Sequence, residues 1–327
     1  MPQPVSIVRD VPPIELTECL KWLLNSVSPQ RAQWIVSQLT DCVSRQKTSD
    51  IYAVELRHGE QIQGAAIAIL QPPSAATLLA IHQSEGISGD SAPDRIVGLA
   101  AIMDRLQSRL RTAGLRFLQV SADDREPGPK FEQLGFYWIA DLVFLVLDSE
   151  QWSDITPPDS TNSYVFSVVG DDSRLREIAC RIACESFAET KDCPRLSEFR
   201  SPAEIVTGYT ASATFDPTLW RVLFLEGEPV GCLFLTAHGP IDDVHAEPAG
   251  TPCGMLELSY MGVVPKHRGN GLGRRLLTEA ASVARHRNVE RMVLAVDRQN
   301  SPAISLYQRY GWVQAAGESV WGMNVFP

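Results

Sequence analysis

The chain has 327 residues, of which 44% are hydrophobic and 21% are charged, and its formal net charge is −10. That length suffices for two domains of ordinary size, while the negative charge argues against a general nucleic-acid binder or a protein of anionic membrane surfaces. Because no stretch approaches about 18 apolar residues and no apolar segment follows the first residues, we expect neither membrane spanning nor export and predict a cytoplasmic protein.

The cysteines are scattered along the chain and form no Cys-x-x-Cys pair. Cys180 and Cys184 stand one helical turn apart, but a metal site would need two more ligands nearby, and the histidines are dispersed. We therefore predict reduced structural thiols and no metal ion, with a zinc site as the alternative.

The first half of the chain has a regular order of predicted elements. A strand-like run at 77–81 precedes an Arg95-x-x-Gly98 segment, and a second strand-like run at 117–120 precedes a segment at 130–136 that ends in Gly-Phe. Between the two strands a helix is predicted by apolar residues at helical spacing, namely Ala101, Met103, Leu106 and Leu110.

Residues 156–163 are rich in turn formers and poor in apolar side chains. This composition predicts a linker. We accordingly expect a first domain over residues 1–155 and a second over residues 164–327.

A glycine-rich basic turn in the second half follows an apolar, strand-like run at 255–264. The helix after the turn is predicted by Leu272, Leu276, Ala280 and Val283. Glycines at 269, 271 and 273 remove the Cβ atoms that would keep a ligand from the backbone, so N–H groups at the helix start could converge on an anion. With Lys266, Arg268, Arg274 and Arg275 nearby and no acid, the turn predicts a polyphosphate site.

Two common nucleotide-binding motifs do not fit this turn. The P-loop needs a Ser or Thr after Gly-Lys, and Arg274 and Arg275 stand there instead. The Rossmann fingerprint, begun at Gly269 or at Gly271, meets arginine or leucine where it requires glycine or alanine.

A further motif lies downstream. An apolar run at 292–296 is typical of a buried strand, and Asn300-Ser301-Pro302 predicts a helix start with proline in the first turn. That helix contains Tyr307 and ends near Gly311.

Together, Arg268-x-x-Gly271-x-Gly273 and Asn-x-x-Ala-x-x-Leu-Tyr-x-x-x-Gly-aromatic resemble the two hallmarks of the GCN5-related N-acetyltransferase (GNAT) superfamily, across residues 255–312. The first half contains a partial copy of these motifs, because Arg95-x-x-Gly98-x-Ala100 and Gly135 occur there in the same order of predicted elements. We predict a mixed α/β protein of two tandem GNAT-like domains, each a twisted, partly parallel sheet flanked by helices. The layout is similar to that of the mycothiol synthase family.

The two copies differ in chemistry. The first has Phe131 where the second has Tyr307, and its glycine loop is reduced to Gly98. We predict that residues 1–155 form a degenerate, supporting domain, with a second acyl-CoA site as the alternative.

The resemblance implies acyl-CoA, with acetyl-CoA first, as the donor and a small-molecule or peptide amine as the acceptor. It implies cofactor contacts along the strand end, the loop and the next helix start, at Met261, Gly262, Val263, Arg268, Gly269, Asn270, Gly271, Leu272, Gly273, Arg274 and Asn300. Asn300 is equally suited to capping the helix.

Tyr307 occupies the position of the family's usual general acid, with a core tyrosine as the alternative. Glu257 stands eleven residues before Arg268, the spacing at which some members of the family carry their catalytic glutamate, so the resemblance implies a general base at Glu257. The alternatives are that Glu257 is only an exposed carboxylate on a strand and that a chain of water molecules accepts the proton.

The sequence says least about the identity of the acyl acceptor. Variable segments at 191–208 and 238–252 are candidates to surround it, and the second contains Asp242, Asp243 and Glu247, which could receive a cationic amine or merely be solvated. Tryptophans could line the acceptor pocket or belong to the core, namely Trp220, Trp312 and Trp321. A protein or peptide N-terminal acetyltransferase and a non-catalytic acyl-CoA-binding sensor or scaffold are the alternative functions.

Overall fold

The computed structural model describes residues 6–44, 48–84, 92–123, 129–154, 164–212, 214–238 and 254–326. The chain divides into two compact units, one of Met1–Ile139 with Ser319–Pro327 and one of Ala140–Glu318.

The first unit is an open sheet with helices on both faces. Its strands are β1 (Ser6–Asp10), β2 (Ile51–His58), β3 (Gln61–Gln71), β4 (Ala75–Gln83) and β5 (Phe117–Asp123). Its helices are α1 (Leu16–Asn25), α2 (Pro29–Ser44), α3 (Ala92–Thr112) and α4 (Pro129–Gln133). Strands β1 to β4 pair in antiparallel order, and β4 and β5 run parallel.

The alternation of β3 explains the two-sided core of this unit. Successive side chains of a strand point to opposite faces, so Ala65 and Ile67 pack with the α1 and α2 side, whereas Ala66 and Ala68 pack with α3. Of the four α3 residues predicted from helical spacing, Met103, Leu106 and Leu110 are buried, and Ala101 is partly buried.

The second unit contains the predicted phosphate loop. Its strands are β6 (Tyr137–Asp148, from residue 140 on), β7 (Tyr164–Val168), β8 (Arg221–Leu225), β9 (Glu228–His238), β10 (Met255–Val263) and β11 (Arg291–Asp297), followed by the first part of β12 (Val313–Asn324). Its helices are α5 (Ser173–Glu185), α6 (Pro202–Ala211), α7 (Leu272–His286) and α8 (Ser301–Arg309). The strand order β6-β11-β10-β9-β8-β7 is antiparallel except for the parallel neighbours β10 and β11.

The predicted apolar stripe of α7 is buried in this unit, at Leu272, Leu276, Ala280 and Val283. Trp220 stacks on Phe234 with ring centroids 3.6 Å apart, and Trp312 is also buried. Trp321 is buried in the first unit. The three tryptophans are therefore core residues, and the mixed α/β architecture is confirmed.

The predicted linker, 156–163, lies outside the described residues, so the domain limits at 155 and 164 stay predictions. Residues on its N-terminal side, including Leu145 and Leu147, lie in the core of the second unit. At the other end of the chain, Met323 and Val325 lie in the core of the first. Among the described helices, none combines the length and the apolar character needed to cross a membrane.

Candidate active site

The turn between β10 and α7 leaves a helix start open. Gly269 and Gly271 adopt left-handed backbone angles, with φ of +78° and +75°, and a Cβ built on either would meet no atom within 4 Å. Gly271 is the N-cap residue of α7 and offers no side chain to the first-turn N–H groups. The N–H groups of that first turn therefore face open space, where an anion can accept them.

A cleft of about 860 Å³ lies beside this helix start. It is lined by the loop, by the first turn of α7 and by α8, and none of its described lining residues is Asp or Glu. Its basic lining residues are His267, Arg268, Arg274, Arg275 and Arg309. The local excess of positive charge in a protein of net charge −10 suits a polyanionic ligand.

The side chain of Arg268 is engaged by the protein itself. Its Nε donates to the Val263 carbonyl at 3.1 Å and its Nη2 to the Ser186 carbonyl at 2.7 Å. Arg268 thus ties the end of β10 to the end of α5, and it still lines the cleft. Arg309, which sequence spacing did not single out, joins the cleft because α8 packs beside the loop.

A second cavity, of about 420 Å³, opens where β10 and β11 diverge. The parallel pairing of these strands covers only Met255↔Arg291, Leu256↔Met292 and Glu257↔Val293. Beyond it, a register shift between Leu258 and Tyr260 bends β10. Met261, Gly262 and Val263 consequently line the cavity.

Gly262 leaves no room for a side chain. A Cβ there would lie within contact distance of Ser186 Oγ, which is hydrogen-bonded to the Tyr260 hydroxyl at 2.7 Å. The glycine thus lets the end of α5 approach β10 closely. Nothing in the sequence around residue 186 signalled this contact.

Tyr307 lies on α8, almost fully buried, and lines the second cavity. Its ring packs against Trp312 at 5.7 Å between centroids. Burial, and secondarily the charge of Asp192, raise the pKa of its hydroxyl well above the usual value, so the phenol keeps its proton at neutral pH. A buried proton donor therefore faces the cavity.

Asn300 caps α8, accepting the Ala303 N–H at its Oδ1 at 3.4 Å. It lines both cavities, so capping and ligand contact are compatible at this position.

Glu257 lies on β10 but is not among the residues that line either cavity. Its Oε2 is 2.6 Å from Nε2 of His238 on the neighbouring strand. Its assignment as the general base stays a prediction. The nearby acidic residues Asp242, Asp243 and Glu247 lie outside the described residues.

Further titratable groups line the second cavity without having been identified from spacing, among them Asp192, Tyr209 and Tyr260. Tyr209 donates to the Ser259 carbonyl at 3.3 Å, and burial raises the pKa of both tyrosines. Asp192 falls in the 191–208 segment, but its approach to the start of α8 depends on the tertiary fold.

The corresponding region of the first unit has a different geometry. Arg95 and Gly98 lie inside α3, which begins at Ala92, whereas α7 begins four residues after Arg268. Gly98 therefore does not lie at an open helix start. Phe131 is buried and packs edge-on against Phe136 at 5.8 Å between centroids, so no hydroxyl stands at this place.

The sequence is similar to a known protein family and to several curated proteins. Residues 184–312 match the model of the acetyltransferase (GNAT) family. The chain is 34% identical over 115 residues to a mycothiol acetyltransferase of Acidothermus cellulolyticus, covering 34% of this chain and 33% of that protein. It is 42% identical over 57 residues to a streptothricin acetyltransferase of Streptomyces lavendulae, covering 17% of this chain and 30% of that protein. The chain thus spans about a quarter to a third of the length of the curated relatives it matches.

Solved structures extend the similarity of fold to the whole chain. A tandem GNAT protein from the clavulanic acid biosynthesis pathway superposes with a TM-score of 0.54 over 99% of both chains at 14% identity. A GCN5-related N-acetyltransferase from Sphaerobacter thermophilus gives a TM-score of 0.57 over 98% of this chain and 96% of that one at 16% identity. Residues 184–312 thus form a domain of the acetyltransferase (GNAT) family, in a chain that has the tandem GNAT fold.

Proposed function

We propose that residues 164–327 carry an N-acyltransferase that moves an acyl group, acetyl in the first instance, from acyl-CoA directly to an amine in a ternary complex. The observation that carries the proposal is the presence of a cleft with basic and no acidic lining residues among those described, next to a second cavity that is lined by the buried phenol of Tyr307. The two share the lining residues Val263, Arg268, Asn300, Pro302 and Ala303. One elongated donor could therefore extend from the first into the second.

In this proposal the loop holds the pyrophosphate of the donor. Backbone N–H groups from Gly269 to Arg274, with Asn270 and Leu272 among them, supply the hydrogen bonds, and the nearby arginines supply charge. Met261, Gly262 and Val263 pair with the pantetheine arm as with an added strand, because β11 diverges from them. Asn300 contacts the donor where the two cavities meet.

Acyl transfer requires a neutral amine, a donor to the tetrahedral oxyanion and a proton for the departing thiolate. The amine nitrogen bonds to the thioester carbon, a β10 N–H near Val263 stabilises the oxyanion, and the C–S bond then breaks. Tyr307 supplies the proton to the thiolate. Its raised pKa follows from burial and keeps that proton available at neutral pH.

Glu257 is the proposed general base. Because it does not line the cavity and is hydrogen-bonded to His238, it would receive the amine proton through an intervening water. The relatives named as acetyltransferases, with a 5-NmdU N-acetyltransferase of Pseudomonas phage PaMx11 among them, support transfer to nitrogen. The acceptor in this proposal is a small-molecule or peptide amine.

The decisive experiment titrates acetyl-CoA into the full chain by calorimetry and then follows thioester loss with a panel of primary amines. We expect saturable binding and amine-dependent thioester loss. Binding without turnover would favour an acyl-CoA sensor, and no binding would overturn the proposal. Mass spectrometry of ligand retained by freshly purified protein would identify the acyl group.

A further inference from the structure

The second cavity contains a carboxylate that the proposed acyl transfer does not use. Asp192 lines it together with the hydroxyl-bearing rings of Tyr209, Tyr260 and Tyr307. The carboxylate and the three phenol rings therefore border one space.

Asp192 is held in place by the start of α8. Its Oδ1 accepts the Asp297 N–H at 2.9 Å, and the Asn300 side chain donates to it as well. A carboxylate has about four lone-pair positions, so these two donors leave acceptor capacity unused. Because Asp192 lines the cavity, a ligand there could donate a hydrogen bond to its carboxylate.

The negative charge of Asp192 is not neutralised within the described chain. No Lys, Arg or His nitrogen of those residues forms an ion pair with Asp192 or with the neighbouring Asp297. Asp297 is 1% exposed, and its two oxygens accept backbone N–H groups of Cys193 and Gln299. Because buried carboxylates are ordinarily paired with cations, an Asp192 carboxylate without a cationic partner on the cavity wall suits a positively charged ligand.

The cationic side chains that line the cavity do not form ion pairs with Asp192. Arg268 directs its donors to the carbonyls of Val263, Ser186 and Glu189, and Lys191 is exposed. The charged or titratable residues that face the cavity are Glu189, Lys191, Asp192, Cys193, Tyr209, Tyr260, Arg268 and Tyr307.

We propose that Asp192 binds the ammonium group of the acceptor, so that the acceptor class is a primary amine that enters this cavity as a cation. This inference rests on the proposed function and names its substrate class. Aliphatic amines have pKa values near 10, so the cation is the form that arrives at neutral pH. Before the nitrogen attacks the thioester, the bound ammonium gives up one proton through water to Glu257. The ring of Tyr260, stacked on Phe187 at 5.3 Å, adds an aromatic surface that favours a cation. An anionic group at the same place would meet the Asp192 carboxylate, which disfavours acceptors that carry a carboxylate next to the amine.

The test compares 2-phenylethylamine with its uncharged counterpart 2-phenylethanol by ligand-observed saturation-transfer NMR, with CoA present and with CoA absent. We expect the wild-type chain to bind the amine in preference to the alcohol. Asp192→Asn should weaken amine binding by roughly 10- to 100-fold and leave alcohol binding unchanged, because it removes a charge-assisted hydrogen bond and keeps the shape. Glu185→Gln, which neutralises a surface carboxylate paired with Arg181, is the matched control and should behave as wild type.

Equal wild-type affinity for amine and alcohol, no saturable amine binding, or an amine preference that persists in Asp192→Asn would each overturn the inference. If Asp192→Asn does not fold, the wild-type comparison of amine and alcohol decides alone. CoA calorimetry on the same preparation separates the two proposals. Absence of CoA binding contradicts the acyltransferase, whereas normal CoA binding in a wild-type chain that shows no amine preference contradicts only the role of Asp192.

Discussion

Tyr307 and Asp192 line the same cavity, and burial changes their chemistry in opposite ways. The pKa of both groups is raised chiefly by burial. For Tyr307 a raised pKa preserves a proton donor. For Asp192 it means that the ionised carboxylate is disfavoured until a cation or hydrogen-bond donor compensates it.

Replacing Tyr307 with phenylalanine keeps the ring beside Trp312 and removes only the hydroxyl. We expect kcat to fall by roughly 10²-fold, the lower end for general acid catalysis, since a thiolate is a good leaving group. Acyl-CoA affinity should be nearly unchanged, because the proton is transferred after binding. Steady-state kinetics and calorimetry measure the two quantities, with Tyr52→Phe in the first unit as a matched control.

Full kcat in Tyr307→Phe together with a lower melting temperature would show that the hydroxyl is only structural. In that case the thiolate would take its proton from water or another side chain.

Asp192→Asn should also change stability in a pH-dependent way. A raised carboxyl pKa in the folded state means that the contribution of Asp192 to stability is complete below about pH 4 and is lost as the pH rises through the folded-state pKa. Because Asn keeps an oxygen for the Asp297 N–H and has no charge, we expect the free energy of unfolding of the variant to exceed that of wild type increasingly from pH 4 to pH 7. Urea titrations across this range test the difference, and a constant loss of stability in the variant would assign Asp192 a purely structural role.

At the scale of elements, the strand–loop–helix segment from β10 to α7 sets the proposed donor site through its backbone. Gly262 allows α5 to approach β10, and Gly269 and Gly271 turn the chain so that the start of α7 is open. Side-chain truncation in this segment should consequently matter less than added bulk or added negative charge.

Gly271→Glu should weaken CoA binding by more than about 100-fold, because a carboxylate would stand at the open helix start. Gly271→Ala isolates the cost of the left-handed conformation, about 1–2 kcal/mol, and should keep most of the affinity. Gly114→Glu is the matched control, since Gly114 also has a left-handed backbone, with φ of +77°, and no atom within 4 Å of a built Cβ. Calorimetry giving Gly271→Glu the affinity of wild type would contradict the phosphate site.

At the scale of the whole molecule, the two units have similar layers and different chemistry. Both place helices on a partly parallel sheet. In the first unit α3 begins before Arg95 and Phe131 is buried among apolar side chains, so neither an open helix start at Gly98 nor a phenol is available there.

We therefore expect one acyl-CoA per chain. Gly271→Glu should abolish this binding, while Gly98→Glu should leave the stoichiometry and turnover unchanged, since its side chain would displace only the flexible end of Gln83. Calorimetric stoichiometry measures both variants. A value of two in the wild type, or loss of turnover in a folded Gly98→Glu, would instead assign a donor site to the first unit.

Much of the fold could be predicted because its signals are local. The apolar spacing of α7, the proline in the first turn of α8 and the glycines of the loop each express a backbone requirement that holds wherever the segment packs. The same reasoning assigned Arg268 to the donor site but did not predict that its side chain donates to backbone carbonyls, because one of them belongs to Ser186, 82 residues away in sequence.

By itself, the sequence determined the strand–loop–helix segment, the Tyr307 position and the resemblance to the GNAT superfamily, since each depends on residues close together in the chain. Only the tertiary structure decided that residues 140–154, which precede the predicted linker, pack in the second unit, and that residues 319–326 pack in the first. It also decided that Asp192 rather than Glu257 lines the cavity between β10 and β11. Those outcomes depend on contacts between distant segments, whose free energy is set by burial and charge after the chain has folded.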